Sequence, residues 1–299
     1  MKFGTLILLL YSFTVLQAQS SNYKTEQSDI FVFEHTVNQL FYTSTYRVLR
    51  PFDFAFSMGS NFNDSGIESF NSAVGIGFGG FLEFQVKTVP QNFTSMNFKA
   101  NENIAGIKIK LFNENVFTPG FSVGAETNIN ILNFNVNEEG MKTILPEGSK
   151  AGLSEFNFDV SAFRFYGVFT KRIFGATNVS AGLSYGIVGY RNFNVESGGA
   201  FPGNDNGNLK MLNYFGGIDF PVNERTKFIF EVYSSSNLLF DLKTVSLYSR
   251  RKTSVSAGLR TFMNEWFTVD YGLTYHDYFK SLSEIQLRMN LTAFLNLGI

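Results

Sequence analysis

Few residues in this chain could carry out chemistry. Histidine occurs twice, at His35 and His276, and cysteine is absent. Metal sites draw on several His, Cys or carboxylate side chains at set spacing. The sequence has no such cluster, so no metal and no cofactor are expected. His276 is followed by Asp277, with Ser281 and Ser283 close behind. A serine hydrolase needs nucleophile, base and orienting group in contact, and an exposed histidine at a loop edge accounts for the same residues more simply. No catalytic residue is therefore assigned, the chain is expected not to be an enzyme, and hydrolysis at His276 ranks last among the readings. Gly75, Gly77, Gly79 and Gly80 do not resemble a phosphate loop. Spaced largely by two, they suit close packing on a strand face.

Eight charged positions share a different property. Lys108, Lys110, Glu126, Asp219, Glu231, Arg260, Asp270 and Arg288 each fall on the polar phase of an alternating segment. Lys110 and Glu126 stand on consecutive segments joined by a short turn and are expected to lie close together. Arg250, Arg251 and Lys252 form a basic run.

The elements that position these residues are strands. From Ile285 to Ile299 every odd position is apolar, and the even positions include Gln286, Arg288 and Asn290. Successive strand side chains point to opposite faces, so this is one strand with an apolar and a mostly polar face. At about 3.3 Å per residue it reaches about 50 Å, and a tilted membrane strand needs only about 9–11 residues. Similar alternation runs from Ala105 to Leu111, Phe121 to Ile131, Val179 to Ile187, Leu212 to Phe220, Phe228 to Val232, Val255 to Leu259 and Val269 to Tyr275. Between Ser72 and Lys87 the phase never breaks, which makes Gly79-Gly80 part of one long strand. The stretch Phe156 to Phe169 slips phase near Ala162-Phe163, as a β-bulge would.

Short connections at Asn113–Val116, Phe174–Thr177, Asn223–Thr226 and Asn264–Trp266 alternate with longer ones at Val89–Glu102, Asn137–Ser154, Asn192–Leu209, Ser236–Leu242 and Asp277–Ser283. This parity holds back to about Leu40 and gives 12 strands. A split at Gly79-Gly80 plus a strand at Asp29–His35 would give 14. Upstream, Lys2, the apolar run Leu6 to Leu16 and the small Ala18 read as a secretory signal cleaved after residue 18. The expected division is a signal at 1–18, a lead-in at 19–39 and one strand domain at 40–299.

Composition decides what surrounds the sheet. The chain carries 24 basic and 25 acidic residues, so a nucleic-acid partner is not expected. Charged residues make up only 16%, whereas a soluble sheet would carry more Lys and Glu on its polar face. Aromatic residues collect near strand ends, among them Phe112, Phe117, Phe174, Tyr190, Phe193, Trp266, Phe267, Tyr275 and Tyr278, as membrane interfaces favour. Backbone groups in hydrocarbon must pair internally, which closes the sheet. The expected fold is all-β: a closed antiparallel up-and-down transmembrane β-barrel of about 12 strands.

The signal, the alternating last strand and the loop asymmetry together resemble the Gram-negative outer-membrane β-barrel class, over about Leu40 to Ile299. The chain ends in Ile299 where the class commonly ends in Phe. A finer likeness is to YjbH-type barrels of exopolysaccharide export. It rests on Lys108-Ile109-Lys110-Leu111, Thr118-Pro119-Gly120-Phe121-Ser122-Val123-Gly124, Phe169-Thr170-Lys171-Arg172, Gly182-Leu183-Ser184-Tyr185-Gly186 and Phe230-Glu231-Val232-Tyr233. The resemblance implies an outer-membrane location, with lipid, lipopolysaccharide and the barrel-insertion machinery as partners and a polysaccharide-export or surface complex as a further one. The polar-phase charges would then line a lumen. They serve a polar pore or an export or uptake conduit, or else cross-link a non-conducting barrel that anchors a surface complex. The Arg250-Arg251-Lys252 run, beside an external loop, would meet lipopolysaccharide phosphates, because the arginine fork matches phosphate geometry.

Overall fold

The computed structural model describes residues 38–63, 66–93, 98–129, 132–136, 153–174, 176–197, 205–241, 246–277 and 285–297. The expected signal, most of the lead-in, Ser281, Ser283 and Ile299 lie outside them. The strands are β1 (Asp53–Asn63), β2 (Gly66–Phe78), β3 (Leu82–Phe93), β4 (Phe98–Phe112), β5 (Gly120–Asn128), β6 (Leu132–Val136), β7 (Leu153–Ile173), β8 (Thr177–Ser197), β9 (Asp205–Asn223), β10 (Thr226–Asp241), β11 (Ser246–Asn264), β12 (Phe267–His276) and β13 (Gln286–Asn296). Apart from β5 and β6, which do not pair with each other, each strand pairs antiparallel with its sequence neighbours, β1 pairs with β13, and β5 pairs with β7. β6 adds to the same edge of β7 beyond β5. β5 and β6 are thus two pieces of one stave, and the sheet is a closed ring of twelve.

The ring is apolar outside and polar inside. On β13 Gln286, Arg288 and Asn290 are buried, while Leu287, Met289 and Leu291 are exposed. Buried residues across the barrel are mostly Ser, Thr, Asn and charged side chains, and the exposed ones include Phe, Leu, Val and Met on nearly every strand. A water-soluble domain has the opposite distribution. This surface needs lipid around it, and the closed ladder leaves no strand edge to satisfy there. Tight turns gather at one end, where Phe112, Phe117, Phe174 and Trp266 all stand exposed, in keeping with an aromatic girdle.

Several sequence expectations are corrected. Gly79-Gly80 is a turn between β2 and β3, with φ of 59° and 68°. Phe78 pairs with Leu82 across a three-residue connection. An odd connection keeps paired residues at equal parity, so the alternation passes through the turn unbroken. In the same region the chain around Leu40 is not a strand of the ring. One strand is lost there and one gained at the glycines, so the total stays twelve. β7 runs straight through Ala162-Phe163, and its pairing with β8 slips instead between Leu153 and Glu155 and between Asn157 and Asp159. Strands also extend well into the segments expected as long connections, as at Val89–Phe93 and Phe98–Glu102.

Gly80 stands in the left-handed region, and a Cβ there would meet only Pro51, at an ordinary 3.8 Å. Valine there should destabilise the barrel by about 1–2 kcal/mol through backbone strain alone, while Asn, which tolerates that region, should cost far less. Urea midpoints of lipid-refolded variants would show this order.

Candidate functional site: a lumen closed from within

The N-terminal described residues enter the ring rather than extend it. Gln39 bridges Ser44, the Leu40 N–H donates to the Thr43 carbonyl at 2.8 Å, and the Thr45 N–H donates to the Asn38 carbonyl at 3.1 Å. This small hairpin places Leu40, Phe41, Tyr42 and Thr43 at its tip. Residues 46–52 descend beside the wall to β1, turning at Arg50, whose carbonyl accepts from the Asp53 N–H at 3.1 Å. Leu40, Phe41, Val48 and Leu49 are buried, although the wall around them is polar.

Glycines on the inner face make room for the segment. A Cβ on Gly77 would strike the Leu49 and Arg50 carbonyls, one on Gly120 would strike the Tyr46 ring, and one on Gly258 or Gly272 would crowd Phe41. Polar groups then fix it. Glu231, fully buried, accepts from the Tyr42 N–H at 3.0 Å and the Thr43 hydroxyl at 3.0 Å. Glu83 accepts from Asn38 Nδ2 at 2.8 Å and the Leu49 N–H at 3.0 Å. Lys108 Nζ donates to the Asn38 carbonyl at 2.9 Å and to that of Arg47. Arg260 donates to the Gln39 and Leu40 carbonyls at 3.0 and 3.2 Å. Arg288 lies over the Tyr42 ring, 4.0 Å from its centroid.

Lys108, Glu126, Asp219, Glu231, Arg260, Asp270 and Arg288 are buried on the inner face, and Lys110 is half-buried. Arg260 clasps Asp270 through two bonds of 2.7 Å. Lys227 pairs with Asp219 at 3.1 Å. Glu126 does not meet Lys110. Register sets Lys110 opposite Ser122 and Glu126 opposite Gly106 and Arg164, so Glu126 pairs with Arg164 and, at 2.8 Å, with Lys87. Glu83, Lys87 and Arg164 were not singled out in the sequence. The supposed phase slip in β7 concealed that Arg164 shares the inner face with Val160, Val168 and Thr170.

Arg250, Arg251 and Lys252 lie within β11, not beside a loop, so their side chains alternate. Lys252 faces the lumen, and Arg251, on the other face, donates to the Leu212 carbonyl at 2.6 Å. His276 points inward and is buried. Its Nδ1 lies 2.6 Å from the Ser254 hydroxyl and its Nε2 lies 3.3 Å from Gln286 Oε1. These contacts fit a hydroxyl donating to Nδ1 and Nε2–H donating to the amide. Ser254 is fully buried, and a neutral amide cannot stabilise an imidazolium as a carboxylate would. The trio links three staves of the wall. Among the described residues no group of His, Cys, Asp or Glu is arranged to hold a metal ion.

Above the hairpin tip, away from the tight turns, the lumen opens into a vestibule of about 420 Å³. Tyr42 and Thr43 form part of its floor, and hydroxyl and amide side chains such as Ser57, Asn61, Asn71 and Asn213 its walls.

Fold and lumen together define a closed transmembrane β-barrel, apolar toward lipid and polar within. Neither a protein-family model nor a curated protein matches the chain. Among solved structures it is similar to the translocator domain of autotransporter NalP from Neisseria meningitidis, with 11% identity, a TM-score of 0.49 and coverage of 81% of this chain and 87% of that one. It is also similar to the NanC porin (8% identity, TM-score 0.42, 81% and 99% covered) and to the Pseudomonas putida toluene transporter TodX (10%, 0.39, 84% and 91%).

Proposed function

We propose that this chain is a polar conduit across the outer membrane, closed by its own N-terminal hairpin. The observation that carries this reading is Glu231. A fully buried carboxylate is spent on the backbone and hydroxyl of the hairpin tip rather than on a wall cation. A lumen built only for stability would be filled with apolar side chains, which need no partner. Groups such as Glu231, Glu83 and Lys108 hold the segment while it is inside and are re-solvated by water when it leaves, so its departure strands no buried charge. The second reading, a non-conducting barrel that anchors a surface complex, rests on the fact that the lumen is filled in this state.

Of the basic run, Arg251 is the residue we propose for contact with lipopolysaccharide, since β11 turns Lys252 toward the lumen. The YjbH-type likeness raises a polysaccharide-export complex as partner, and it gives no residue here a role.

Single-channel recording of the full refolded chain and its Glu231→Ala variant tests the conduit. The unaltered chain should be mostly closed with brief openings. The variant loses two charge-assisted bonds of about 1.5–3 kcal/mol each and should open far more often to the same conductance. Silence from both at every voltage and salt concentration assigns the barrel to the anchoring role.

A further inference from the structure

Arg288 has a feature that closure of the lumen does not explain. It is 4% exposed and lines the floor of the vestibule. Its Nε and Nη1 are buried without a hydrogen-bond partner. Native proteins rarely leave such donors unmatched, since each costs its full desolvation. The nearby carboxylates are committed elsewhere. Asp270 gives one oxygen to Arg260 Nε and the other to Arg260 Nη2, and Glu231 serves Tyr42 and Thr43. Register places neutral residues opposite Arg288 on both neighbouring strands, Asn61 on β1 and Gly272 on β12. The vestibule above is also biased. Lys87, Arg164, Lys252 and Arg288 line it against Glu102 and Glu126, and both of those cations on the β3–β7 side, Lys87 and Arg164, are already paired with Glu126.

We infer that the vestibule is a binding site for a small anionic solute rich in hydroxyl groups, whose carboxylate or phosphate is taken by Arg288. The guanidinium supplies the fork that such groups match, and the ring of serine and asparagine side chains supplies partners for hydroxyls. The volume of about 420 Å³ lies in the range of small-molecule sites. The same guanidinium covers Tyr42 at the hairpin tip. A solute anion that claims its buried donors draws it off that ring, so occupancy and closure compete for one side chain. This coupling rests on the hairpin-closed conduit; the binding site itself does not.

Binding is therefore read without current, by titration calorimetry on the full chain refolded in a zwitterionic detergent. The probes are glucuronate, glucose 6-phosphate and glucose, which share a ring and differ in the head group. One or both anions should bind roughly 10-fold or more tightly than glucose, and which of them does so tells a carboxylate ligand from a phosphate one. Arg288→Gln should erase the preference. Arg288→Lys, which keeps the charge without the fork, should weaken it and tests the site even if Arg288→Gln does not fold, whereas Arg225→Gln, at a tight turn outside the vestibule, should keep it. Equal binding of all three probes, no binding of any, or a preference that survives Arg288→Gln or vanishes with Arg225→Gln overturns the inference.

Discussion

Valine at Gly77 should leave the barrel standing and drive the hairpin out of it. The three atoms that a Cβ at Gly77 would meet first belong to Leu49 and Arg50, on the descending limb, and none belongs to the wall. Gly120 repeats the situation on the other side of the lumen, where its nearest neighbours are all Tyr46. Overpacking of this kind costs about 1–3 kcal/mol at a well-packed site. Here the strain can be relieved by the segment leaving, so the cost falls on the closed state. A shift of that size moves the closed-to-open ratio by roughly 5- to 150-fold, and the two sites share no contact, so their effects should add. The Gly77→Val/Gly120→Val double variant should therefore conduct almost continuously in planar bilayers, at the conductance of the brief openings of the unaltered chain. Gly167→Ala is the control, since a Cβ there meets only Phe121 at an ordinary 3.4 Å. A double variant that folds, resists denaturant like the parent and stays closed would show that the hairpin does not seal the lumen.

The wall was legible because a strand has a two-residue period and only one face of this sheet is polar. Alternation alone placed Arg260 and Asp270 on the inner face, and the register sets them directly opposite one another. The hairpin was not legible for the same reason. Leu40-Phe41-Tyr42-Thr43 and Thr45-Tyr46 are β-formers, and the segment reads as one more strand. The signal that could have found it lies in the wall. Gly217, Gly258 and Gly272 are inner-face positions on β9, β11 and β12, close to Leu40 or Phe41, and three small residues there leave a hollow that some other chain segment must fill. Glu231 is opposite Gly217 on one side and Ser256 on the other. A lumen carboxylate without a cation in register needs a partner from elsewhere, and the hairpin is that partner. The Lys110–Glu126 expectation failed because it counted strands without counting register, and only the register decides which inner-face residues are level.

The Arg260–Asp270 pair joins the two tasks of the wall, and its double-mutant cycle separates them. Both side chains are buried, and the two bonds of 2.7 Å between them form a bidentate clasp. Asp270→Leu leaves the guanidinium buried without its counter-ion, which should cost about 3–5 kcal/mol of barrel stability. Arg260→Met strands the carboxylate to a similar degree. The double replacement removes both charges and should recover most of that loss, because a well-packed apolar pair is close to neutral in exchange for an ion pair. Stability and closure then part company. Arg260 also donates to the Gln39 and Leu40 carbonyls, and methionine cannot replace those bonds. The Arg260→Met/Asp270→Leu barrel should unfold near the parent's urea midpoint and yet open more often than Asp270→Leu alone, which still has the arginine to hold the hairpin. If the double variant were as unstable as either single one, the clasp would not be acting as a pair. If it were stable and as firmly closed as the parent, the carbonyl bonds of Arg260 would have no part in holding the segment, and closure would rest on Glu231, Glu83 and Lys108.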